Sequence, residues 1–314
     1  MTSEWRRHGS DLAKRAFEAM IPRRCTAEWL DSVSGKAEFE WDVAAMQVGF
    51  LDPLYAQFDR STDRLVSALA VSGLEAADRD AAHYQAALAA AELQVLSVIL
   101  IAPWRNGRDA RSTVEDSRAM PLSVLATVAF TARQFAPCLV ATHSDALDPR
   151  TRAWLVYRHA YAMVNGAISR AIDVGSRALA TGTDHGADLE GSLRLFCPVN
   201  LTLATDIITA ALGLLDSEEA RLLEHAAHHL SVSYRLAAEL VDPPPQDITP
   251  ARELRLSGWP MARIRHVLEL AVRERDHAMR MARELSPGLA LPLVRFEEGV
   301  LAEVIEQARG ARRE

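Results

Sequence analysis

The stretch Leu222–Asp242, LLEHAAHHLSVSYRLAAELVD, limits the possible folds more than any other part of the chain, because Pro243-Pro244-Pro245 follows it at once. Leu223, Ala227, Leu230, Tyr234, Ala237 and Val241 recur every three or four residues, which sets them along one side of a helix. The triple proline cannot continue that helix. A long helix with one apolar stripe has to bury the stripe against other elements. Near its end, Glu239 and Asp242 are three apart and project from one face. Carboxylates so placed beside a loop can hold a hard divalent cation. They can equally form an ordinary solvated helix end.

The same period runs through the rest of the chain. Glycine (15 residues) and aromatics (6%) are scarce, and no long alternating β-branched run occurs. The expected helices are Ser10–Met20 closed by Pro22, one or two over Lys36–Phe58 around Asp52-Pro53, and Ser61–Ser72 running to Gly73. Ala77–Ile101 follows, ended by Pro103, then a loop over Trp104–Thr113 carrying Arg105, Arg108 and Arg111. Pro121–Phe135 is stopped by Pro137, and Asp148–Gly175 opens on Asp148-Pro149. Thr181–Gly191 reads as a polar loop. After it come Asn200–Leu215, the stretch described first, Met261–Leu285 and Leu293–Arg309. No composition break and no repeat of 20–50 residues divides the chain, so one all-α domain over 1–314 is expected.

A chain of 314 residues, 49% hydrophobic and 25% charged, is ordinary for a globular protein with a large core. Its net charge of −7 argues against a non-specific nucleic-acid binder. Cys25, Cys138 and Cys197 form no paired pattern and fit a reducing compartment. The opening MTSEWRRHGSDLAKR lacks the apolar core of a signal peptide, so a cytoplasmic location is expected. Tyr84–Trp104 is the one run long enough to suggest a membrane span. Gln85, Glu92 and Gln94 interrupt it, and a buried core helix is the expectation.

Taken in order, these segments resemble the trans-isoprenyl diphosphate synthase (polyprenyl synthetase) family and the related class I terpene synthases. Ala90–Arg105, AAELQVLSVILIAPWR, is similar to the helix that runs into the family's first DDxxD motif. Arg108–Val114 resembles the arginine-rich RRGxPT segment. Met163–Ala171 resembles the GQxxD helix, keeping Gly166 but with Ala167 and Arg170 at the polar positions. Leu195-Phe196 is similar to the end of KTxxLF, with Gly191-Ser192 where Lys-Thr would stand. Ser233–Asp242 resembles the second metal motif, FQxxDDxxD, and ELRLSG before Pro260 sits where DLxxGKxT would be. The resemblance covers roughly Asp59–Leu285 and rests on order and spacing, since no single motif is intact.

What the resemblance implies is an isoprenoid-synthase-like single-domain barrel of about ten to twelve helices. It also implies a prenyl diphosphate-type substrate, Mg²⁺, and a homodimer. The departures from the pattern qualify this. Ile101, Ala102 and Arg105 stand at the three carboxylates of the first motif, and Ala238, Glu239 and Asp242 at those of the second. The basic GKxxRP segment is absent near Asp59–Val66. An arginine in place of a metal ligand repels the cation, so the standard three-metal site is not expected. In one reading the chain is an atypical terpene cyclase or prenyltransferase. Arg105, Arg108 and Arg111 then clamp the anionic head, with Tyr234 and Arg235 on the substrate side. Glu239 and Asp242 hold one metal or act as a base. In the other reading catalysis is lost, and the chain is a partner subunit of an active synthase or a prenyl-ligand binder.

Two further groups stand out. His225, His228 and His229 have a spacing that suits zinc ligands or simply a polar helix face. Tyr157, Arg158, His159 and Tyr161 share one helix, either packed or lining a cavity. No G-x-S-x-G, P-loop or dinucleotide fingerprint occurs.

Overall fold

In the computed structural model, residues 4–20, 52–60, 64–105, 122–162, 199–241 and 261–310 are described. Every regular element among them is helical, and they hold no strand. In chain order these are α1 (Glu4–Met20), α2 (Asp52–Arg60), α3 (Leu65–Ala76), a 3₁₀ turn (Ala81–Tyr84), α4 (Gln85–Arg105) and α5 (Leu122–His143). A helix over 149–162, α6, comes next. It is followed by α7 (Val199–Ala211), α8 (Glu218–Leu240), α9 (Met261–Ala282) and α10 (Pro287–Phe296), then a π turn (Glu297–Leu301) and α11 (Ala302–Gly310).

α4 lies at the centre. From Ala86 to Gln94 every residue is buried, so the helix is enclosed on all sides and not merely along a stripe. It packs on α5, α1, α3 and α7. The polar residues that interrupt its sequence serve this position. Glu92 Oε1 accepts a hydrogen bond from Ser67 N at 2.8 Å, capping the first turn of α3 from a neighbouring helix. Nearby, the buried guanidinium of Arg64 donates to Phe58 O at 2.7 Å and lies over the Phe58 ring, at 4.6 Å. No helix among the described residues is long and apolar enough to cross a membrane.

Tight helix crossings surround this centre. A Cβ on Gly9 of α1 would lie 2.4 Å from Ala68 Cα of α3, so the two backbones nearly touch. Phe17 of α1 then stacks on Phe58 of α2, with centroids 3.8 Å apart, and meets Tyr55 edge-on. Each fully buried side chain of this kind contributes about 1.5–3 kcal/mol. α8 and α9 form the most extensive pair and run antiparallel. Ser233 Oγ donates to Ala271 O at 2.7 Å, and His229 Nδ1 meets Glu274 Oε2 at 2.5 Å. Leu223, Ala227, Leu230 and Ala237 are buried as expected, and Tyr234 is half-buried.

Several expected boundaries move. α1 starts at Glu4, ahead of Ser10, and α4 continues past Pro103 to Arg105, taking in Trp104. α5 runs through Pro137 to His143. Ala136, Leu139 and Val140 are buried around that proline, so packing outweighs its cost of roughly 3 kcal/mol. Pro292 is likewise inside α10, which begins at Pro287, well before the expected Leu293. α3 passes through Gly73, where a Cβ would lie 2.5 Å from Ile208 Cδ1. That glycine marks a helix crossing and not a stop. The true glycine stop is Gly213, at φ +68°, where α7 ends short of the expected Leu215. Leu214 N donates to Thr209 O and Gly213 N to Ala210 O, the paired bonds of an αL helix cap. α8 begins four residues before Leu222, because Ser217 Oγ accepts from Ala220 N. Expectations over 21–51, 106–121, 163–198 and 242–260 lie outside the described residues.

Candidate functional site

Two of the residues singled out from sequence fall on helix ends. Arg105 is the last residue of α4, and Glu239 lies in the last turn of α8. Arg108, Arg111 and Asp242 lie outside the described residues. α7 packs on both α4 and α8. The α8–α9 register sets the turn carrying Glu239 level with the first turns of α9. Tyr234 is half-buried and meets Phe296 of α10 edge-on, with centroids 5.8 Å apart. Its ring therefore serves packing between α8 and α10. Arg235, beside it, is also half-buried.

The last turns of α4 bear on the metal. Ile101, Ala102 and Arg105 supply no oxygen ligand between them. Mg²⁺ takes oxygen donors in a near-octahedral arrangement. This donor set does not fit a three-metal site, and no chemical step is routed through one here. Among the described residues no three His, Cys, Asp or Glu side chains come together as a metal site. His225, His228 and His229 are accordingly not gathered around one point. His229 instead pairs with Glu274 and meets the ring of His277, with centroids 4.5 Å apart.

A second set of polar groups lies inside the bundle. α6 is opened by Asp148, whose carboxylate accepts from Thr151 Oγ1, Thr151 N and Arg150 N. Those bonds, that of the Thr151 hydroxyl first, hold Asp148 below the usual carboxylate range. Two turns later Arg158 reaches Asp206 of α7 at 3.0 Å and Glu224 of α8 at 2.8 Å, tying three helices together. Burial raises the Asp206 carboxyl to about 6, against the opposing pull of Arg158.

His159 is the unusual member. It is fully buried, and among the described residues neither ring nitrogen has a hydrogen-bond partner. Gln94 Nε2 of α4 donates to its backbone oxygen at 3.4 Å. Burial pushes the imidazole down to about 4, so it is neutral near pH 7. One turn along α4 from Gln94, Ser97 Oγ accepts from Arg133 Nε of α5 at 3.0 Å. A polar layer of buried Gln94 and Ser97 with part-buried Arg133 thus crosses α4 and α5, and the backbone of His159 joins it from α6. It lies one to two turns before Ile101.

No protein-family model and no curated protein sequence matches this chain. The chemistry available is therefore that of the residues themselves. A neutral imidazole holds a lone pair and an N–H in a dry site, and can accept or deliver one proton. An unsatisfied buried polar group costs about 1–3 kcal/mol, so its retention calls for a reason. Asp206 was missed in the sequence, and His159 was noted only with Tyr157, Arg158 and Tyr161 on one helix. The available signal was the lone acid in the apolar run VNLTLATDIITAA, together with Glu92 and Gln94 in α4.

Proposed function

We propose that the chain is a divergent protein of the isoprenoid-synthase type. It acts on a prenyl diphosphate-type substrate, as an atypical terpene cyclase or prenyltransferase without the three-metal site. The observation that carries this reading is His159, a neutral and unpartnered imidazole in an apolar helical core, beside the helix that resembles the carrier of the first aspartate motif.

Ionisation of an allylic diphosphate breaks its C–O bond, and the bonding pair leaves on the diphosphate oxygen. The carbocation that remains ends as an alkene when an adjacent carbon loses a proton. Such a cation is acidic enough to protonate an imidazole whose pKa is about 4. His159 takes that proton in this reading, and its burial keeps water from adding instead. Arg105, Arg108 and Arg111 supply guanidinium forks for the departing diphosphate. Glu239 and Asp242 supply a second base.

A second reading is a catalytically inactive homologue, serving as a partner subunit or prenyl-ligand binder. Ile101, Ala102 and Arg105 at the end of α4 favour it, because the acids of the first motif are missing. Mass spectrometry of products from prenyl diphosphates of increasing chain length, with and without Mg²⁺, separates the two. The enzyme reading expects a new hydrocarbon, alcohol or elongated diphosphate from at least one substrate. Tight binding with no product from any of them supports the second reading. So does altered product length when the chain is mixed with an active synthase.

A further inference from the structure

A groove of about 610 Å³ lies against α9 and the end of α11, outside the polar layer just described. Its α9 wall is built from Arg265, His266, Glu269 and Arg273, all exposed, over a floor of buried Leu268 and half-buried Val272. These positions fall at helical spacing on the side of α9 away from Ala271 and Glu274, which face α8. Arg309, near the end of α11, completes the lining and is paired with Glu306.

Three features point to an anion. The chain carries a net charge of −7, yet Arg265, Arg273 and Arg309 line this groove against Glu269 and the Glu306 partner of Arg309, a local excess of positive charge. Among the described residues Arg265 and Arg273 make no ion pair, although Glu269 stands one turn from each on the same helix. The volume is that of a small-molecule site, for which about 300–1,000 Å³ is usual, and an apolar floor lies between the cations. Guanidinium forks favour phosphate oxygens, which they grip bidentately. We infer that this groove binds the phosphate group of a ligand whose apolar portion lies on Leu268 and Val272. Turnover within the bundle is not required for it.

Calorimetry of the full chain with inorganic diphosphate and with geranyl diphosphate, at low and at moderate salt, tests the inference. Vesicles containing phosphatidic acid form a third arm, which separates a lipid headgroup from a soluble ester. The expected result is binding that weakens with salt and falls at least tenfold in an Arg265→Gln, Arg273→Gln double variant. Geranyl diphosphate should bind more tightly than inorganic diphosphate, because it adds apolar contact. Glu269→Gln should tighten both several-fold, since it removes a negative charge from the groove. The control is Arg79→Gln with Arg283→Gln, two exposed cations outside the groove. Equal losses in control and groove variants, or no effect of the groove variants, overturn the inference. Retained binding in the groove variants would leave the proposed function standing.

Discussion

Between about pH 4 and pH 6 two buried groups of α6 and α7 pull the stability of the fold in opposite directions. His159 has its pKa depressed from 6.5 to about 4 by burial. The unfolded chain then binds more protons than the native one across that window, so this contribution is present above pH 6.5 and is lost as pH falls towards 4. Asp206 has its carboxyl raised from 3.8 to about 6. The native state there holds the extra proton, so this contribution is present below pH 3.8 and is lost as pH rises through 6. Urea midpoints measured from pH 4 to pH 7 are therefore predicted to separate two variants. His159→Leu, left with the Asp206 effect, should lose stability more steeply as pH rises than the parent does. Asp206→Asn should gain stability more steeply over the same range. Identical pH slopes in parent and variants would show that neither group titrates as its burial requires. His159→Leu should also fold well, since it removes two unsatisfied buried nitrogens and keeps the volume apolar.

At the scale of elements, what was legible in the sequence is what periodicity encodes. The stripe Leu223, Ala227, Leu230 and Ala237 is buried, and the enclosed character of α4 follows from its long apolar run. Less legible were the places where glycine and proline act through tertiary packing. Pro137 and Pro292 lie inside helices because buried neighbours hold both flanks, and Gly73 is a crossing, not a terminus. The candidate site was legible only in part. Spacing singles out Glu239 as a candidate, in the last turn of α8, whereas His159 is distinguished from any other packed histidine only by its three-dimensional surroundings. The α1–α3 crossing gives a direct test at this scale. Gly9→Ala would ordinarily stabilise a helix by about 1 kcal/mol. Here the new Cβ meets Ala68 Cα at 2.4 Å and Ala68 N at 2.7 Å, both backbone atoms that cannot turn aside. The predicted result is a loss of about 1–3 kcal/mol in chemical denaturation, the opposite sign to the intrinsic propensity. An unchanged or higher midpoint would mean that α1 does not approach α3 this closely.

At the scale of the whole molecule, the described residues form an all-helical bundle with a polar layer crossing its interior and a cationic groove on its flank. The proposed chemistry belongs to the interior, because only there is a neutral base kept away from water. The groove and the interior are separable, since variants of Arg265 and Arg273 alter exposed side chains whereas the ring of His159 is fully buried. The most direct measurement is diphosphate release from geranylgeranyl diphosphate by the parent chain and by His159→Leu, with products identified alongside. The account predicts release by the parent, and alkene formation reduced by about a hundredfold in the variant, the scale of a lost general base. Variant activity equal to the parent's, in a folded protein, would contradict the assignment of His159. Absence of release by the parent across the prenyl diphosphates would contradict the enzymatic reading itself.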